Sequence, residues 1–131
     1  MEAKKARNFA YSPYSHFKVG SALRCEDGSV HTGCNVENAS YPCSICAERC
    51  ALTKAISTNG KRTFRGISVV ADRLDGKLTT PCGMCRQMLV EFGDFDVYIA
   101  SPQLDQVIVT TTKELLPLYF SRGSKDNFTS G

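Results

Sequence analysis

The sequence predicts an α/β fold, a three-layer α-β-α domain in which a five-stranded mixed sheet lies between helices. Two patterns carry this prediction. In the first third, residues alternate in character from Phe17 to Cys25 and run straight into Asp27-Gly28, a strong hairpin signal, so the chain returns antiparallel. After that, helix-forming stretches alternate with short β-rich runs, which implies at least one crossover between strands and therefore a mixed sheet. The length of 131 residues, with 42% hydrophobic and 22% charged, suffices for one buried core and not for two. The expectation is one domain over 1–131, ordered to about Arg122, with a polar, frayed tail over 123–131.

Taken in order, the chain opens with helix formers to about Ala10, stopped by Ser12-Pro13-Tyr14-Ser15. The strand from Phe17 to Cys25 and its return over about Val30 to Val36 make the hairpin. Past Tyr41-Pro42, residues from about Ser44 to Thr58 favour a helix with Ala47, Ala51 and Ala55 spaced by four, and Asn59-Gly60 supplies a stop. Ile67 to Ala71 reads as a buried strand. A loop from Asp72 to Pro81 then leads to a second helix over about Cys82 to Phe92, where Cys85, Leu89 and Phe92 can share a face. Two short strands follow, Val97 to Ala100 and Val107 to Val109. Thr111 with Glu114 three residues later has the form of a capping box and opens a last short helix.

Several function classes recede at this point. The net charge is only +3 and the basic residues are scattered, whereas a polynucleotide track needs a clustered basic face to neutralise phosphates. A small substrate is favoured. No apolar run approaches the roughly 20 residues of a membrane-spanning helix, and the charged N-terminal stretch is not followed by the apolar segment of a secretory signal, so a cytoplasmic protein is expected. Seven cysteines in such a chain read as thiols or metal ligands and not as a disulfide framework.

Two cysteine clusters sit at predicted helix N-termini: Cys46-Ala47-Glu48, and Pro81-Cys82-Gly83-Met84-Cys85. Free N–H groups and the positive end of the helix dipole favour thiolate there, the form that binds metal. A Cys-x-x-Cys pair can hold one ion through both sulfurs, with Cys46 as third ligand. Zinc with three protein ligands keeps a fourth position for water, the arrangement of a catalytic site, and Glu48 lies where a proton shuttle belongs. A second reading stays open. Cys43 and Cys46 also form a Cys-x-x-Cys pair, and with Cys82 and Cys85 they spell a closed, structural four-cysteine zinc site.

Cys46-Ala47-Glu48-Arg49 followed by Pro81-Cys82-Gly83-Met84-Cys85-Arg86-Gln87 resembles the cytidine deaminase family in its small, three-cysteine zinc form. The resemblance continues through Tyr11-Ser12-Pro13-Tyr14-Ser15, Phe17 to Gly20, Gly33 to Tyr41 and Glu114 to Pro117, and covers about Tyr11 to Phe120. It implies one zinc ion per chain on Cys46, Cys82 and Cys85, with Cys43 an ordinary thiol. It further implies that Glu48 is the general acid/base, moving a proton from water to N3 of the cytosine ring and a second to the departing ammonia. Asn35 and Glu37 would bond the ribose, Phe17 would pack on the nucleoside, and Ala47, Tyr41 and Phe120 would complete the substrate contacts. The implied activity is hydrolytic deamination of free cytidine and deoxycytidine in pyrimidine salvage.

Three thiolates leave one zinc ion with a formal charge of −1, which weakens it as a Lewis acid. Two helix N-termini withdraw part of that charge, and Arg49 is placed to bond a ligand sulfur and withdraw more, with Pro81 flanking the second pair. Asn35 and Glu37, spaced by two, point the same way from an extended segment, which suits a shared ligand. The remaining rivals are a deaminase of another cytosine compound, such as a nucleoside antibiotic or an RNA base, and a non-enzymatic four-cysteine zinc module. The resemblance also implies a homotetramer with shared active sites. Leu115, Leu116, Leu118, Tyr119 and Phe120 add a crowded apolar end, more than a short terminal helix can bury against its own chain.

Overall fold

The computed structural model describes residues 2–60 and 62–122; the expected tail over 123–131 lies outside them. The elements run α1 (Glu2–Arg7), β1 (Val19–Cys25), β2 (Val30–Cys34), α2 (Ala47–Asn59), β3 (Phe64–Ala71), α3 (Gly83–Val90), β4 (Asp96–Ala100), β5 (Val107–Thr111) and α4 (Thr112–Leu115), with a single 3-10 turn at Tyr41–Cys43. The five strands form one sheet in the order β2-β1-β3-β4-β5. β1 is antiparallel to both β2 and β3, β3 is parallel to β4, and β4 is antiparallel to β5. The parallel pair is the predicted crossover, made through α3.

Helices cover both faces, and two glycines let them land. A Cβ on Gly20 would lie 2.0 Å from the Ala3 carbonyl of α1. On Gly33 it would lie 2.4 Å from the Ala47 carbonyl of α2. These residues point to opposite faces, since Gly33 pairs with Ser21, the neighbour of Gly20. On the α2 face lies the main core, where Leu23, Ala51, Leu52, Ala55, Ile67, Leu89, Val97 and Ile99 are all buried. Ala47, Ala51 and Ala55 are buried along one stripe, as their spacing requires. The small residues bring α2 close to the sheet, and the contact at Gly33 fixes where its first turn sits.

Element boundaries shift by a few residues from the sequence reading, for identifiable reasons. α1 ends at Arg7, not Ala10. β1 starts at Val19, not Phe17, because the Asn35 side chain takes the ladder's place: its Oδ1 accepts from Val19 N at 2.9 Å and its Nδ2 donates to the Phe17 carbonyl at 2.8 Å. β2 ends at Cys34, and Val36 instead exchanges both backbone bonds with Ile45. That bridge holds Ile45 extended, so α2 begins at Ala47 and not near Ser44. β3 starts earlier than predicted, at Phe64, whose ring packs edge-on against Phe92 and Phe95. α3 runs Gly83–Val90 with Cys82 as its cap. The Thr111 cap is present, its side chain accepting from Glu114 N at 3.2 Å.

Candidate metal and substrate site

Two cysteines occupy the same position on two helices. Cys46 is the N-cap of α2 at φ −76° and ψ 155°, and Cys82 the N-cap of α3 at φ −69° and ψ 168°. Neither side chain caps its own helix, so both sulfurs are left to face each other, 3.8 Å apart. Cys85, one turn into α3, is buried, and the sulfurs of Cys46, Cys82 and Cys85 lie within 4.8 Å of one another. Tetrahedral zinc with Zn–S bonds of about 2.3 Å spaces its sulfurs about 3.8 Å apart. The three donors therefore fit that ion. Cys43 sits exposed at the end of the 3-10 turn, and among the described residues the group closes at three cysteines without it. The four-cysteine reading does not match this geometry.

The sulfurs behave as one unit. A hydrogen bond from Cys85, helped by Arg49 and Cys82, brings the Cys46 thiol down to about 5, and Cys85 is correspondingly pushed up because it keeps the shared proton. A metal ion displaces such protons when it binds. Arg49, one turn from Cys46 on α2, donates from its terminal nitrogen to Cys46 Sγ at 3.5 Å. This is the contact expected of a residue that draws charge from a thiolate. Pro81 is buried beside the second pair, and its carbonyl accepts from Arg86 Nε at 2.7 Å.

Glu48 is only 4% exposed, in the first turn of α2. Burial pushes its carboxyl up to about 7; the Cys46 sulfur pushes the same way, while a bond from its own backbone N–H and the Arg49 charge pull back. A carboxyl poised near neutrality beside a three-sulfur cluster can both take and give a proton under ordinary conditions. Ala47, immediately before it, is fully buried against Gly33.

The polar residues expected at the sugar form a second group. Asn35 and Glu37 flank Val36 on the extended segment between Tyr11 and Ile45: Tyr11 N donates to the Asn35 carbonyl at 3.0 Å and Glu37 N to the Tyr11 carbonyl at 2.9 Å. Their side chains reach the same loop, Asn35 holding Phe17 and Val19, and Glu37 holding Tyr14 and Ser15. Phe17 is half-buried there. Two aromatics lie outside these hydrogen bonds. Tyr41 is 70% exposed, touching Tyr14 edge-on at 6.3 Å, and Phe120 is 72% exposed, held at its carbonyl by Gln87 Nε2 at 3.1 Å. Their rings are not enclosed by the described residues.

Two residues that the sequence reading left without a role emerge as connectors. Arg86 binds the Pro81 carbonyl, the Leu115 carbonyl at 2.8 Å and Thr80 Oγ1 at 2.8 Å, tying the second cysteine pair to the C-terminal segment. Its signal was adjacency to Cys85. Ser15 joins Glu37 to Phe17, and its signal was its place between Tyr14 and Phe17 in a turn.

The comparisons agree with this geometry. Residues 1–101 match the family model described as "Cytidine and deoxycytidylate deaminase zinc-binding region". A "Probable cytidine deaminase" of Dictyostelium discoideum is 48% identical over 120 residues, covering 92% of this chain and 80% of that protein. A "Cytidine deaminase" of Sporosarcina psychrophila is 48% identical over 123 residues, covering 92% and 88%. The crystal structure of cytidine deaminase from Burkholderia pseudomallei superposes with a TM-score of 0.85 at 45% identity, covering 91% of this chain and 94% of that one. With more than three quarters of its length inside the family model and 48% identity to two such relatives over 92% of its length, the chain belongs to the cytidine and deoxycytidylate deaminase family.

Proposed function

We propose that this chain is a zinc-dependent hydrolase that deaminates free cytidine and deoxycytidine, giving uridine or deoxyuridine and ammonia. The observation that carries the reading is the buried Glu48 carboxyl beside three sulfurs at the spacing of a tetrahedral metal. Cys46, Cys82 and Cys85 would hold one zinc ion per chain, leaving its fourth position to solvent. Zinc in such a site acidifies a water molecule and stabilises negative charge that develops on the substrate. The chain's own residues do the remainder. Glu48 accepts one proton of the attacking water and delivers it to N3 of the cytosine ring; it then takes the remaining proton from the hydroxyl formed on C4 and carries it to the amine, which leaves as ammonia. Water's oxygen becomes the new carbonyl, and the C4–N4 bond is the one broken. Arg49, through Cys46, draws off part of the thiolate charge, and Pro81 and Ala47 set the backbone around the two cysteine clusters.

Asn35 and Glu37 would take the ribose. After its loop bonds Asn35 keeps an N–H in hand, beside a second lone pair on Oδ1, and Glu37 keeps about one of the roughly four acceptor sites of its carboxylate. That pair suits one hydroxyl that donates and accepts at once, which favours a free ribose over a nucleoside antibiotic, while the net charge of only +3 with scattered basic residues disfavours an RNA base. Phe17 packs on the nucleoside. Tyr41 and Phe120, exposed on a single chain, would be covered in a homotetramer whose active sites are shared between copies. We read 1–131 as one domain. Seven free cysteines, three of them metal donors, suit a reducing compartment, the cytoplasm, where the enzyme would serve pyrimidine salvage.

The test is one preparation examined twice. Metal analysis is expected to give one zinc per chain, and cytidine to lose its absorbance as uridine forms. A zinc-loaded protein inert toward cytidine and deoxycytidine would reject the proposed activity.

A further inference from the structure

The loop from Tyr14 to Val19 is wrapped around two side chains of the neighbouring segment. The Glu37 carboxylate accepts three bonds from it: Tyr14 N and Ser15 N, each at 3.1 Å to Oε1, and the Ser15 hydroxyl to Oε2. The same hydroxyl oxygen accepts from Phe17 N at 3.0 Å. The Ser15 hydroxyl thus gives its one proton to Glu37 and one of its two lone pairs to the backbone that carries Phe17. His16, between them, takes a left-handed φ of 58° and donates its N–H to the Ser12 carbonyl at 2.9 Å. This turn aims the successive N–H groups of Tyr14 and Ser15 at one oxygen, a small anion cradle built of backbone.

Oε1 receives two donors and is held. Oε2 receives a hydroxyl, and the direction of that single bond decides where the remaining lone pair of the carboxylate points. The Ser15 bond is also the largest influence holding the Glu37 carboxyl below its usual range, with the two backbone N–H groups and the charge of His16 acting the same way. Glu37 is therefore presented as a fixed anion with one acceptor position left over.

We infer that Ser15 is a positioning residue for substrate recognition: through its hydroxyl it sets the orientation of Glu37 toward the ribose and couples it to the placement of Phe17. The inference rests on the reading that Glu37 takes a ribose hydroxyl. Among the described residues the Ser15 hydroxyl bonds Glu37 and Phe17 and not the cysteine cluster or Glu48, so its removal is expected to act on substrate binding and not on the chemical step.

The test uses the zinc-loaded full chain with Ser15→Ala, Ser15→Thr and Glu37→Ala, assayed on cytidine and on its 2′-deoxy and 3′-deoxy analogues. Ser15→Ala is expected to raise KM for cytidine about tenfold with kcat within twofold and zinc content unchanged, and Ser15→Thr, which keeps the hydroxyl, to restore KM to within about threefold. On the analogue lacking the recognised hydroxyl, Ser15→Ala should raise KM no further than that analogue already does in the unaltered protein. A merely structural role would lower kcat and zinc content along with binding, and it would act equally on every analogue. Either result overturns the inference, as does an unchanged KM in Ser15→Ala where Glu37→Ala raises it. If Glu37→Ala itself leaves KM for cytidine unchanged, the ribose reading fails, and the inference goes with it.

Discussion

The metal end of the site and its aromatic rim are built by opposite means. Cys46, Glu48, Arg49 and Cys85 lie in or against the first turns of α2 and α3, and those helices are pinned by the core and by the close approach at Gly33. Glu48 and Cys85 are shielded within one chain, while Cys46 is partly open to solvent and Cys82 is exposed. Tyr41 and Phe120 are long aromatic side chains left in solvent, one on a 3-10 turn and the other beyond α4, where Leu118 is fully exposed as well. Groups that handle protons must be held to a fraction of an ångström and desolvated, so the fold's interior holds them. Groups that cover a substrate must let it in, and among the described residues Tyr41 and Phe120 are left exposed.

The contrast breaks most severely at the cysteines. Cys82→Ala or Cys85→Ala is expected to abolish zinc retention and activity together, because two thiolates cannot complete the site; metal analysis beside the activity assay reads this directly. Retention of a full zinc equivalent in either variant would place the metal elsewhere. Arg49→Ala should leave the fold intact and cost about 10–100-fold in activity or metal affinity, the usual loss when a ligand's hydrogen-bond partner is removed. Unchanged kinetics and zinc content would reduce Arg49 to a bystander despite its 3.5 Å contact with Cys46.

At the rim the expected loss is of another kind. On the reading that its ring covers the base in an adjacent copy's pocket, as the family resemblance implies, Phe120→Ala should keep zinc and raise KM for cytidine by about 5- to 150-fold, the ~1–3 kcal/mol that aromatic stacking on a base is worth. Light scattering at assay concentration should give four chains per particle, and a fully active monomer would refute both the shared site and the role of Phe120. The smallest effect sharpens the boundary of the metal site: Cys43→Ala should change neither zinc content nor activity, since Cys43 lies outside the three-sulfur group.

Much of this was legible before any coordinates. The hairpin at Asp27-Gly28, the stop at Asn59-Gly60, where Gly60 adopts φ 69°, and the Thr111 cap are local devices whose signal lies in adjacent residues. The candidate three-cysteine group was legible because Cys-x-x-Cys at a helix start is also a local pattern. What sequence did not separate was Cys43 from Cys46, since both sit in a Cys-x-x-Cys frame. The bridge between Val36 and Ile45, which delays α2 until Ala47 and makes Cys46 its cap, is a contact made in space. The start of β1 was misread for the same reason: Phe17 alternates correctly, but the Asn35 side chain has taken the pairing it would have used. The hub at Arg86 is likewise invisible to periodicity, because its three acceptors come from the Thr80-Pro81 loop and from Leu115, far along the chain.

The central claim is that Glu48 moves the protons while the three cysteines hold the metal, and Glu48→Gln separates these two functions most directly. The amide keeps the shape of the side chain and cannot accept the proton. Zinc content and the rate of cytidine deamination, measured on the same preparation, should show a full equivalent of metal with activity lower by about 10²–10⁴-fold, the usual contribution of a general acid/base. Full zinc with activity within tenfold of the unaltered protein would contradict the account.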